Sequence, residues 1–161
     1  MLIELRGRQT HDGILCEQDY GLWAEQMANL LAAGRFSELD IENLVEEVRD
    51  LSKRERDRLL SSLRLILHHL LKWDYQPKRR CQRHASRTRS WLGTVQRERA
   101  NIRLYLDDSP SLKRYLTDES IFKLYAVAFS DAFRETGLEF PPICPYGIEA
   151  ILNRSLHLSE R

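Results

Sequence analysis

Two carboxylates, Glu46 and Glu47, and two histidines, His68 and His69, stand near opposite ends of one stretch that carries no Gly or Pro until Pro77. Carboxylates and imidazoles hold divalent metals and move protons near neutrality, so a site could form if folding brought them together. One helix face cannot do this alone. No His-x-x-x-His or Glu-x-x-His spacing occurs between Asp40 and Pro77. His69 is in register with Ile66 and Trp73, which favours a packed, hydrogen-bonded core histidine. The sharper alternative is a metal-dependent hydrolase using Glu47, His69 and a cationic partner near Arg79 to Trp91. Beside them, Lys72, Arg79 and Arg80 flank Trp73 and Tyr75, and Trp91 opens the next helical pattern. Cations next to aromatic rings can hold a phosphate or a nucleobase. The preferred reading is plainer: the tryptophans close one end of a bundle while Lys72 keeps its charge in water.

Three further features bear on chemistry. From Lys78 to Arg99 the chain carries eight Lys or Arg against Glu98 alone, the kind of stretch that neutralises nucleic-acid phosphates. Against it stands the acidic run from Glu38 to Asp57, and the two stretches can satisfy each other within or between chains. Cys144 precedes Pro145 as if at a helix N-terminus, where a thiolate is favoured, but no histidine lies close in sequence to act as its base. Cys81-x-x-His84 is half of a zinc spelling. No Gly-rich phosphate loop, nucleophile elbow or cysteine-pair zinc motif occurs, so no cofactor is expected and an enzyme of a familiar motif class is disfavoured.

The elements that must position these groups are helical. Leu44, Val48, Leu51, Leu59, Leu63, Ile66, Leu70 and Trp73 recur at steps of three and four, which predicts one continuously buried face on a spine from Asp40 to Pro77. Asp40 is its N-cap, with Leu39 and Leu44 spaced as a hydrophobic staple. Ser52-Lys53-Arg54-Glu55 spells a second capping box, so a break near Leu51 and a continuous helix weigh equally. Ahead of the spine, Asp19 caps a helix bearing Trp23, Met27, Leu30 and Leu31, and Gly34 ends it. Residues 1–18 read as an arm and 78–89 as a basic connector. Helix resumes at Ser90 with Trp91, Val95, Ile102 and Tyr105 or Leu106 inward, and with Arg97, Glu98 and Arg99 near the edges. Ser109-Pro110 launches a short helix, Asp118 caps the next, and that one turns Ile121, Tyr125, Ala128, Phe129, Ala132 and Phe133 to one face before Gly137. Residues 138–143, with Pro141-Pro142, are extended. Cys144-Pro145 opens a last short helix through Leu152, and 154–161 is a frayed tail.

Several of these residues form a string similar to a known family. Asp19-x-x-x-Trp23, Gly34-Arg35-Phe36, Asn43-Leu44-x-Glu46-Glu47, His69-Leu70-Leu71-Lys72-Trp73-x-Tyr75-Gln76-Pro77, Ser109-Pro110-Ser111-Leu112-Lys113, Glu135-Thr136-Gly137 and Cys144-Pro145-Tyr146 together resemble domain of unknown function family 29. The likeness runs from about Asp19 to about Leu152. It implies a helical bacterial protein and carries no reaction, cofactor or partner with it. The connector between Arg80 and Trp91 is longer here than the family pattern.

Composition bounds the rest. At 161 residues, 42% hydrophobic and 30% charged, the chain suits one globular domain with a core of its own. A net charge of +1 favours no charged partner for the molecule as a whole. Three widely spaced cysteines fit a reducing compartment, and no segment reads as a signal peptide or membrane span, so a cytoplasmic protein is expected. The expectation is an all-α bundle of five to seven helices over residues 1–161. Its leading function is an interaction or regulatory module that self-associates through the surplus Leu60, Leu67 and Leu71, with nucleic-acid binding through Lys78–Arg99 as the alternative.

Overall fold

The computed structural model describes residue 16 and residues 18–76 and 85–157. The fold is all-α: five α-helices and two short 3₁₀ segments, with no strand among the described residues. The chain divides into two compact units, Met1–Leu51 and Ser52–Arg161.

The first unit is a helical hairpin. Helix α1 (Tyr20–Ala32) starts where Asp19 accepts a hydrogen bond from the Leu22 amide, satisfying one of the free donors of the first turn. It is followed by Gly34 at φ +68°, a left-handed conformation that a side chain resists. The Gly34 amide donates to the carbonyl of Leu31 and that of Arg35 to Leu30, and a 3₁₀ turn (Phe36–Glu38) leads into the next helix. Helix α2 (Ile41–Tyr75) begins at Asp40, which accepts from the backbone amide of Asn43. Among the described residues of this unit Trp23, Met27 and Leu30 are buried, with Leu39 and Leu44 partly buried against them.

The second unit is built on α2 beyond Ser52. Leu59, Leu63, Ile66 and Leu70, together with Leu67 and Leu71, are fully buried there. Helix α3 (Ala85–Asp108) contributes Val95 and Ile102 to the same core, and α4 (Asp118–Thr136) contributes Ile121, Tyr125, Ala128 and Ala132. A last helix, α5 (Ile148–Asn153), adds Ile151. Polar ties fix the ends of these helices. Tyr125 donates to the Pro141 carbonyl at 2.6 Å, and Asp74 accepts from Tyr146 and from both terminal nitrogens of Arg154. The guanidinium of Arg99 donates to the carbonyls of Ala150, Ile151 and Arg154, closing the end of α5.

Several expectations need correcting. Helix α2 is continuous: Ser52 lies inside a run of strong helix formers, and its capping-box spelling is not used. Its apolar face is not buried along its whole length, because Val48 and Leu51 are exposed and the first fully buried residue is Leu59. Leu67 and Leu71 are core, not surplus, so they offer nothing to a second copy. Helix α3 starts at Ala85, five residues before Ser90. Thr117, not Asp118, caps α4 by accepting from the Ser120 amide, and Phe133 is exposed. The segment after Ser109 is 3₁₀ (Pro110–Tyr115), and the Ser109 hydroxyl donates to Glu55 without capping it.

The contrast along α2 sets an expected outcome. Leu63→Ala is expected to cost about 2–5 kcal/mol through the cavity it leaves, whereas Val48→Ala should change stability by no more than about 0.5 kcal/mol. Urea unfolding followed by circular dichroism measures both. Equal costs would refute the exposed start of α2.

Candidate functional site

Of the residues singled out for chemistry, the structure brings Lys72 and Trp91 together. The Lys72 ammonium sits 4.9 Å from the centre of the Trp91 ring and 2.5 Å from Oε1 of Glu135. Only 4% of the Lys72 side chain is exposed, so its charge is not kept in water as the sequence suggests but is held by a carboxylate and a π face. The other oxygen of Glu135 is 3.0 Å from Nε2 of His68, one helical turn before Lys72. Burial pushes the Glu135 carboxyl up, but the hydrogen bond and charge of Lys72 outweigh this and leave it below the usual range.

His69 packs edge-on against His68, with ring centres 5.1 Å apart. Burial, reinforced by His68 and Lys72, pulls its pKa down to about 4, so the ring is neutral near pH 7. The buried Nδ1 atoms of His68 and His69 and the side-chain amide of buried Gln76 have no hydrogen-bond partner among the described residues. Trp73 is buried as well. Lys72 ties α2 to α3 through Trp91 and to α4 through Glu135, whose two oxygens meet Lys72 and the Nε2 side of His68.

The remaining candidates are dispersed. Glu47 belongs to the first unit, where it accepts from the Tyr20 hydroxyl at 2.9 Å. Arg79, Arg80, Cys81 and His84 lie outside the described residues. Cys144 does not open a helix, since α5 starts after Gly147. Its thiol is pushed up by burial and donates to the carbonyl of Tyr146, the opposite of an activated thiolate. Within Lys78–Arg99, Arg97 bonds Glu98, and Arg99 is engaged by the carbonyls of α5. Glu98, expected at an edge, is buried and accepts from Ser62 and Asn101. Among the described residues no group of three or more His, Cys, Asp or Glu side chains is placed to hold a metal ion.

A polar cleft lined by Glu55, Arg58, Tyr105, Asp108, Ser109 and Leu112 measures about 100 Å³. That is room for a few waters, well under the roughly 300 Å³ of a small-molecule site.

The first unit presents a different kind of surface. Ile41, Val45, Val48 and Leu51 follow one another at steps of four, three and three along α2, and they are exposed by 54%, 41%, 64% and 57%. Such spacing aligns them on one helical face. Tyr20, Leu22, Leu31 and Phe36 are exposed in the same unit. Asp40 is the polar hinge of the hairpin, accepting from the Trp23 indole at 3.2 Å and from the Asn43 side-chain amide at 2.6 Å. The Asn43 bonds hold its carboxyl below the usual range.

A family model described as domain of unknown function DUF29 matches residues 15–156. The chain belongs to the DUF29 family. No curated protein and no solved structure matches it. No helix of this DUF29 chain, among the described residues, is long and apolar enough to cross a membrane.

What sequence reasoning missed in the DUF29 chain is Glu135, which stands in the family-like Glu135-Thr136-Gly137 string but has no spacing relation to Lys72. The His68 to Lys72 step of four was the available signal for a shared partner.

Two outcomes are expected of these polar groups. The folded pKa of His69, about 4, lies below its ordinary value of 6.5, so the unfolded chain binds the extra proton between them. The stability this contributes is complete above about pH 6.5 and is lost as pH falls toward about 4. His69→Gln should therefore flatten the fall in urea midpoint across that window, and an unchanged slope would show that His69 does not cause it. Secondly, Glu135→Ala should destabilise more than Lys72→Met, by about 1–2 kcal/mol. Removing Glu135 strands a buried ammonium, whereas removing Lys72 leaves a carboxylate that is 54% exposed. Thermal melts giving the reverse order would refute this.

Proposed function

We propose that this DUF29 chain is a helical interaction module that binds a partner protein through the start of α2. The observation that supports this reading is the exposed stripe of Ile41, Val45, Val48 and Leu51, in a unit whose buried core is Trp23, Met27 and Leu30. Covering an exposed apolar face of this kind stabilises the hairpin that carries it. Laying an amphipathic helix against such a face is a recurrent mode of recognition. The metal-dependent hydrolase alternative draws no support from Glu47, which belongs to the first unit and is held by Tyr20, or from His69, which belongs to the second and packs against His68. Nucleic-acid binding through Lys78–Arg99 draws none from Arg99, whose donors are taken by α5. A home in the bacterial cytoplasm belongs to the same proposal, in keeping with three cysteines widely spaced along the chain.

The test is paired capture from bacterial extract with the purified protein and with a Val48→Ser, Leu51→Ser double variant. Both positions are exposed, so the variant should unfold at the same urea concentration as the parent. Proteins retained by the parent and lost by the variant are the expected result. Identical retention by both would exclude the stripe as the binding surface.

A further inference from the structure

The charge of the first unit identifies the kind of partner. Between residues 18 and 51 there are eight Asp or Glu against only Arg35 and Arg49, a net charge of −6 in a chain whose total is +1. The acidic groups border the apolar stripe. Glu42 lies one helical turn before Val45, and Glu47 one turn before Leu51. Glu42 and Glu46 are exposed. The surface therefore combines a strip of aliphatic side chains with a carboxylate rim.

We infer, building on the interaction reading, that the occupant of this stripe is a cationic amphipathic helix of a partner protein. The stripe runs from Ile41 to Leu51, ten steps along α2 or about 15 Å at 1.5 Å per residue, and is one helix wide. A partner helix with apolar residues at steps of three and four fits that length and width. Lys or Arg beside its apolar face would meet the carboxylate rim, raising the association rate and suppressing other partners. A second copy docked face to face is disfavoured, because it would set one acidic stretch, −6 over residues 18–51, against another. Nucleic acid and anionic lipid are disfavoured by the same sign.

The experiment uses the full chain and two labelled synthetic helices of about five turns that share one Leu pattern, with Lys at every polar position in one and Glu in the other. Fluorescence anisotropy is recorded across a salt series, with sedimentation velocity of the protein alone beside it. The Lys peptide is expected to bind at least tenfold more tightly than the Glu peptide, with the ratio falling as salt screens the rim. Val48→Ser, Leu51→Ser should weaken binding of the Lys peptide. Glu42→Gln, Glu46→Gln, which leaves the stripe intact, should reduce the Lys-over-Glu ratio. Equal binding of both peptides would overturn the charge inference while leaving the apolar stripe as a docking surface. Binding of neither would overturn the inference, and paired capture then decides the interaction reading separately. Concentration-dependent dimerisation abolished by Val48→Ser, Leu51→Ser would overturn it in favour of a second copy.

Discussion

The second unit depends on burial of α2 around more than one side between Leu59 and Trp73. Leu59, Leu63, Ile66 and Leu70 form one apolar row, and Leu67 and Leu71 form another beside it. A helix that is apolar on one stripe needs one neighbour; one that is apolar on two adjacent rows needs partners on both sides. Helices α3 and α4 meet that need, with Val95 and Ile102 from the one and Ile121, Tyr125, Ala128 and Ala132 from the other in the same cluster. Ala128 and Ala132 of α4 are fully buried, and small residues let a helix approach its neighbour closely. The chain beyond α4 is pinned by hydrogen bonds to the same framework, through Tyr125 to Pro141 and through Tyr146 and Arg154 to Asp74.

Placing Lys72 within that framework imposes an electrostatic requirement. An ammonium with 4% of its side chain exposed is tolerable only beside compensating charge, and Glu135 supplies it from the last turn of α4. The Trp91 ring covers the ammonium from α3. One cation thus constrains three helices, which is a matter of specificity more than of net stability. The neutral state of His69 belongs to the same arrangement. A positive imidazole would sit beside both Lys72 and His68, and the fold excludes it by burial.

Much of this was legible in the sequence, and the exceptions have physical causes. Asp19, Asp40, Gly34 and Gly137 act as the terminal residues their types suggest, because capping and left-handed backbone are decided within a few residues. Periodicity also located the core of α2 from Leu59 onward. It failed at Val48 and Leu51, since the spacing of apolar residues marks a face but not whether anything covers it. It also treated Leu67 and Leu71 as spare, because a two-row apolar surface reads as excess until its second neighbour is known. Lys72 and Trp91 were rightly grouped by their positions at an end of the bundle. Glu135 was not grouped with them, because a contact across sixty-three positions leaves no trace in local spacing. Cys144 misled for a local reason: proline often follows a cap, yet here the helix waits for Gly147.

The first unit explains why an exposed apolar row can persist in a stable chain. Among its described residues Trp23, Met27 and Leu30 are buried, and polar bonds accompany them: Asp40 to Trp23 and Asn43, Glu47 to Tyr20, and Arg35 to Glu38. Of these, Trp23 to Asp40 and Tyr20 to Glu47 run from α1 to α2 and its cap, and they leave Ile41, Val45, Val48 and Leu51 exposed. Residues 18–51 carry a net charge of −6, and like charge opposes the approach of a second copy. In the proposed interface, an apolar row rimmed by carboxylates would favour a surface of opposite sign over a copy of itself.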